Sequence, residues 1–496
     1  LFACIATGLS GTYATACAIA NELREKYPER RIRCVATRYC GGEACQMCWS
    51  LEISPVDSDI VFAGTDTNCI WKSIDGGKSW RNTSAGFNSM GTADIAVDPE
   101  NGNIVYALGG TGGGYGSYEP YTGIYKSTDC GETWERVFNN PYYRKKNNKI
   151  IKFGKRNLSG KRRIFAGGHG MGAGAVYSDD EGKTWKTMNG ISEYVTIDIT
   201  LLDDKTVLAG TSGGVFVSYD NGETFTQCGP VTGESSTVTA DPGDKNHWIC
   251  GSGNALYETT DMGGTWTQIN SFPDESGRTL GVSSVAYGYG DNPRLYVYLS
   301  PAHYPLRYST DNGRSFTVPK KTVDCTEFIK DNSGWGGEPF ALDRNDPDNV
   351  IVSFDGELYK SDDGGETYYA SSSGYSGMRA SGFLFDDENP QNIFIPSIDR
   401  GIVKTIDSSK NEEYPIVDYS PSEDSTCIRY GGSKTTLAAA RDPKNHDRII
   451  ICIGGSDYTL KQSFDGGNSY FIIPGTSGNS TNFISFNPDN YRTVYA

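Results

Sequence analysis

The chain has 496 residues, among them 61 glycines, 31 tyrosines and 20 phenylalanines, and a formal charge of −16. That acidity excludes a polyanionic partner such as nucleic acid over most of the surface and favours a neutral or cationic ligand. No run approaches eighteen consecutive apolar residues, so no membrane span is expected, and the glycine- and aromatic-rich composition predicts an all-β, turn-rich fold.

The first 46 residues are unlike the rest. "LFACIAT" predicts a buried strand, "GLSGTY" a turn, "ATACAIANELREKYPE" a helix by its apolar spacing, and "RRIRCVAT" a second strand, which together make one βαβ unit. Thirteen cysteines is an odd count, and six precede residue 49, which argues against a disulfide framework. Cys40, Cys45 and Cys48 have a spacing that iron–sulfur proteins use, but no fourth ligand follows at a confirming distance. They read as thiols, and no cofactor is expected. The chain opens on Leu1 without a basic-then-apolar leader and stops inside a strand pattern, so it reads as part of a longer protein.

From residue 73 onward one octapeptide recurs. "SIDGGKSW" at Ser73 is followed by variants starting at Ser127, Ser178, Ser218, Thr259, Ser309, Ser361, Thr405 (decayed) and Ser463. A catalytic centre is built once, whereas a unit that cannot bury its own apolar face is stacked many times, so the octapeptide is scaffolding. The starts lie 54, 51, 40, 41, 50, 52, 44 and 58 residues apart, the length of a four-stranded propeller blade. Within each octapeptide Gly is expected to supply a positive-φ turn position, Asp to accept backbone N–H groups, and the terminal aromatic to pack into the blade.

Antiparallel blades place the octapeptide turns on one face of the disk, and function is expected on the other, in the loops after each second strand and between blades. Tyr115, Tyr118 and Tyr121 lie in one such loop, His303 and Tyr304 in another, and Trp335 beside Glu338 in a third. Flat aromatic faces there suit sugar rings, and Arg379 is counted with them as substrate-binding. Four scattered His residues without H-x3-H spacing argue against a metal site, and neither a Walker loop nor a G-x-S-x-G elbow occurs.

The octapeptides resemble Asp-box, or BNR, repeats, found in β-propellers of sialidases, sortilin-like receptors, photosystem assembly factors and the xyloglucanase family of glycoside hydrolases. More blades than one seven-bladed ring can hold implies either a ten-bladed ring or, as in the xyloglucanase family, tandem rings. The tandem reading divides the chain into 1–46, a first propeller at 47–370 and blades of a second at 371–496. "FAGTDTNC" is similar to the "RTD-x-GG" turn that carries a catalytic Asp in that family, and Asp66 falls on that Asp. Gly64 stands in place of the Arg, and Asn68-Cys69 in place of the paired glycines. The resemblance implies a β-1,4-glucan such as xyloglucan, hydrolysed with inversion by two carboxyls roughly 6.5–9.5 Å apart. Glu338 is the candidate second acid, with Asp94 as a substitute. Asp355 and Asp399 repeat the Asp66 placement in their own blades. An extracellular location is expected of such a hydrolase. The alternative is a non-catalytic propeller that grips a protein segment.

"GLSGTYATACAIANELREKYPERRI" resembles the DegV family of fatty-acid-binding proteins, in which Thr7, Ser10 and Thr12 match positions that hold a lipid carboxylate. Only a small part of such a domain is present, and a lone βαβ unit cannot enclose an acyl chain, so it reads as a remnant.

Overall fold

The computed structural model describes residues 5–6, 36–37, 48–66, 70–89, 91–110, 121–139, 150–156, 160–167, 175–229, 236–273, 280–300, 306–320, 339–354, 357–371, 375, 379–380, 384–385, 393–398, 401–405, 436–453, 459–467, 470–476, 478, 481, 483–487 and 489–496. Among these residues all regular structure is strand, as the composition predicts. The chain forms two compact units, Met47–Tyr375 and a second made of Leu1–Gln46 with Ser376–Ala496.

Among the described residues, Met47–Tyr375 holds seven antiparallel sheets, each built from strands in chain order. Their first strands are Cys48–Ile53, Thr92–Asp98, Ile150–Arg156, Thr196–Leu201, Ser236–Asp241, Gly281–Tyr287 and Phe340–Leu342. Second strands such as Val61–Thr65 and Val207–Thr211 are buried at every residue because neighbouring blades cover both faces, so they read as apolar runs without alternation. Fourth strands such as Lys186–Thr187 and Thr226–Gln227 form the exposed rim. The sixth blade departs from the expected pattern. Among the described residues it has three strands, and an isolated bridge from Tyr308 to Thr317 stands where the fourth would be. Pro319 follows two residues later and has no N–H to extend a ladder.

Each octapeptide is a closed hydrogen-bonded turn. The Ser73 hydroxyl donates to Asp75 Oδ1 at 2.7 Å and accepts the Gly77 N–H at 2.8 Å, while Asp75 accepts the Ser79 N–H at 2.8 Å and its hydroxyl at 2.6 Å. The same bonds recur around Asp129, Asp180, Asp220, Asp261, Asp311 and Asp363. Side-chain bonds from Thr259, then bonds from Thr265, draw the Asp261 carboxyl down to about 2, so this group is a fixed anion. Two successive positions are left-handed. The first tolerates Cys130, Glu181, Asn221, Met262 and Asn312, whereas the second is Gly in every described turn. A Cβ at Gly131 or Gly222 would come within 2.5 Å of the Phe62 or Phe165 ring, so packing as well as φ demands glycine there.

Octapeptide tryptophans tie several blades to the one before, although Trp185 Nε1 donates within its own turn to Gly182 O. Trp134 Nε1 donates to Thr83 O at 2.8 Å and Trp266 Nε1 to Cys228 O at 2.6 Å. Cations reach forward to the next turn: Lys72 Nζ, on the third strand of the first blade, donates to Cys130 O, and Arg163 Nη1, on the second strand of the third blade, to Asn221 O, each at 2.7 Å. Both kinds of tie also join the seventh blade to the first. Trp80 Nε1 donates to Ser371 O at 2.7 Å, and Lys360 Nζ to Gly76 O at 3.0 Å.

In the other unit, Ile5–Ala6 pairs in parallel with Ala36–Thr37, the arrangement a crossover connection produces. The residues between them, including the expected helix and Thr7, Ser10 and Thr12, lie outside the described residues. A sheet containing Ile393–Ile398 and Gly401–Thr405 follows, then a four-stranded sheet starting at Thr436–Arg441 and a pair of strands, Ser485–Phe486 and Val494–Tyr495. The octapeptide bonds recur at Ser463, Asp465 and Gly467.

Candidate functional site

Asp66 follows the second strand Val61–Thr65 of the first blade, on the face away from the octapeptide turns, and is half-buried. The first strand of the next blade packs on this strand end. A Cβ at Gly64 would lie 2.9 Å from Thr92 Cγ2, and one at Gly91 would lie 2.1 Å from Asp66 O. The position where the resembling motif has Arg is therefore filled by the neighbouring blade and admits no side chain. Cys48, paired with Thr65 across the first two strands, is buried. Burial, with a smaller contribution from the Asp66 charge, pushes its thiol up to about 12, so it stays protonated at neutral pH and is a poor metal ligand.

Tyr121 shares this face in the second blade and is exposed, its ring 5.9 Å from the Arg136 guanidinium and its carbonyl accepting the Tyr125 hydroxyl at 2.5 Å. Arg379 begins the short strand Arg379–Ala380, in the other unit. Tyr115, Tyr118, His303, Tyr304, Trp335 and Glu338 lie outside the described residues, as do Asp355 and Asp399. Among the described residues, no His, Cys, Asp and Glu side chains group so as to hold a metal ion, and no helix is long and apolar enough to cross a membrane.

Asp94 is committed to holding blades together. One carboxylate oxygen accepts the Ser50 hydroxyl and the Ile95 N–H, both at 2.9 Å, and the other accepts the Ile151 N–H of the third blade at 2.8 Å. The first strand of a blade has an open edge, and in the second, third and sixth blades side chains from preceding blades cap its N–H groups. Glu52 does so for Val97 at 3.4 Å and Thr237 for Val285 at 3.3 Å. Charge concentrates here, a feature the sequence reading missed although "SLEI", "TADI", "IIKF" and "TIDI" each place a charged residue in a first strand. Burial raises Asp94 and Asp198, and pushes Glu52 up to about 7 against the pull of Lys152 and Arg344. Burial works to lower Lys152, but Asp94, Glu52 and Asp198 more than offset it, so its pKa is raised.

A pH dependence follows. Between the ordinary value of 4.5 and about 7, unfolded Glu52 has released its proton while folded Glu52 retains it. The unfolded state then binds fewer protons, and stability falls as pH rises through that window. Glu52→Gln should remove this part of the fall. Urea unfolding at pH 5 and pH 8 should show the difference between the two pH values shrinking by about 1–2 kcal/mol relative to the unaltered protein, allowing for solvent screening. An unchanged difference would mean that Glu52 ionises freely in the fold.

The BNR/Asp-box repeat family matches residues 176–187. Over 159 residues the chain is 30% identical to a "Probable oligoxyloglucan-reducing end-specific xyloglucanase" of Neosartorya fischeri, covering 29% of this chain and 19% of that protein. It is 33% identical over 95 residues to the oligoxyloglucan-reducing end-specific xyloglucanase of Emericella nidulans, covering 18% and 11%. It is 24% identical over 338 residues to a xyloglucanase of a Paenibacillus species, covering 63% and 30%. The chain thus spans less than a third of the length of each of these relatives. Among solved structures, the GH74 xyloglucanase of Xanthomonas campestris superposes with a TM-score of 0.65 at 15% identity, over 86% of this chain and 67% of that one. An ancestral GH74 enzyme superposes with a TM-score of 0.63 at 13% identity, over 92% and 66%. At such identities the likeness is one of fold. The chain is an Asp-box β-propeller protein, built on the fold that these GH74 enzymes share.

Proposed function

We propose that the chain is a carbohydrate-active propeller that binds and hydrolyses a β-1,4-glucan such as xyloglucan by inversion, with Asp66 as one carboxyl and Glu338 as the other. The observation that carries this reading is the placement of Thr65-Asp66 at a second-strand end, away from the octapeptide turns, in a chain similar in sequence to three xyloglucanases. Glu338 precedes the first strand Phe340–Leu342 of the seventh blade, the blade that packs on the first. Trp335 lies three residues before it in the sequence, and an apolar ring beside a carboxyl raises its pKa toward the range of a general acid. Tyr115, Tyr118, Tyr121, His303, Tyr304 and Arg379 supply sugar contacts in this reading.

The same proposal divides the chain near residue 370 into a first ring and the opening blades of a second. The Trp80 and Lys360 bonds, which join the seventh blade to the first, support it. The test is incubation of the protein with xyloglucan, reading both retention on the immobilised polymer and release of reducing ends. Retention with release is the expected result. Retention without release would leave a binding module, and neither would return the chain to the class of propellers that grip a protein segment.

A further inference from the structure

Tyr194 lies between the third and fourth blades, outside every set of residues considered above. The residue is 36% exposed on a loop that is otherwise fixed. Its N–H donates to Ile191 O at 3.1 Å, and Ile191 is fully buried. Ser212 clamps the next residue from both sides: its N–H donates to Val195 O at 2.9 Å and its hydroxyl accepts the Val195 N–H at 3.0 Å. A Cβ at Gly213 would lie 2.5 Å from both Cδ1 and Cε1 of Tyr194 and 2.9 Å from Cζ. Three ring carbons at such similar distances mean that Gly213 lies beneath the face of the ring, since an edge-on approach would leave Cζ much farther away. The Phe216 ring supports it at 5.2 Å with a 41° tilt, and Gln227 Nε2 holds Gly213 O at 2.8 Å.

Gly213 is in the turn between the second and third strands of the fourth blade, the counterpart of the turn that carries Asp66 in the first. Both therefore open on the same face, three blades apart. An aromatic ring seated on glycine and locked by its loop loses little entropy when a flat ligand covers it. The C–H face of a pyranose is such a ligand, and it brings no charge to a strongly acidic chain. Only an extended ligand reaches from the first blade to the fourth, and a second contact on one chain multiplies retention without needing high affinity of its own.

We infer that Tyr194, seated on Gly213, is a stacking platform for a distant sugar ring of the same polysaccharide that engages the Asp66 turn; this rests on the proposed function. The test is affinity electrophoresis in gels containing xyloglucan. Tyr194→Ala should weaken retention by about tenfold, and Gly213→Ala should do the same by lifting a ring that is still present. Tyr194→Phe should retain like the unaltered protein. So should Tyr219→Ala, which removes a more exposed tyrosine from an octapeptide turn on the opposite face. If the unaltered protein is retained and Tyr194→Ala is retained equally, the platform is overturned while the proposed function stands. Equal losses from Tyr194→Ala and Tyr219→Ala would also overturn it. If the unaltered protein is not retained on any glucan, both the platform and the proposed function fall.

Discussion

Asp66→Asn should lower release of reducing ends from xyloglucan at least a hundredfold, because removing an essential acid or base typically costs 10²- to 10⁴-fold. The substitution keeps size and shape at a half-buried strand end packed by Gly91 and Thr92, so the melting temperature should hardly move. Glu338→Gln should produce a loss of the same order, since inversion needs one carboxyl to activate water and the other to protonate the leaving oxygen. The control is Asp75→Asn. That carboxylate accepts three bonds from Ser73 and Ser79 within its own turn, so losing it costs about 1–3 kcal/mol of stability and no chemistry. Unchanged turnover in Asp66→Asn would remove this residue from the mechanism. Loss of turnover together with loss of folding would recast the Asp66 turn as scaffold, like the octapeptides.

The octapeptides were legible because the same local need recurs in every blade. A turn with two left-handed positions and one carboxylate acceptor leaves Ser-x-Asp-x-Gly, or Thr-x-Asp-x-Gly at Thr259, in the sequence of each well-formed copy, and the bonds recur from turn to turn. What escaped notice was written across blades rather than along one. Lys72 directly precedes the octapeptide of the first blade and Arg163 lies on the second strand of the third, yet each serves the turn of the following blade, and nothing in the local sequence names its partner. Asp94 read as a spare acid because its acceptor role depends on Ile151, a residue of the third blade. Tyr194 was missed because its platform is made by Gly213, whose lack of a side chain leaves no mark beyond one more glycine in a chain rich in them. At Asp66 the sequence pointed to a position, while the reason for Gly64 lay in Thr92 of the next blade.

Trp80→Ala should cost about 3–5 kcal/mol, the usual range for emptying a buried tryptophan site, and should do more than leave a cavity. Trp80 packs edge-on to Tyr375, which also meets Trp71, and its indole N–H donates to Ser371 O. Trp134 makes the equivalent bond to Thr83, so Trp134→Ala is a close match in buried area. The two sites differ in topology. Trp134 and Thr83 are 51 residues apart on consecutive blades, whereas Trp80 and Ser371 are 291 apart and meet only because the ring of sheets closes. Closing so long a loop costs chain entropy that the contacts at this one seam must offset. Weakening the seam therefore favours opening of the first and seventh blades as a unit, below the threshold for global unfolding. Hydrogen exchange should show this directly. In Trp80→Ala, amides of Val350–Phe354 and Val61–Thr65 should exchange faster than those of Val207–Thr211, whereas in Trp134→Ala protection of Val350–Phe354 should persist. Uniform acceleration in both variants would mean that the seam carries no more of the fold than any other blade interface.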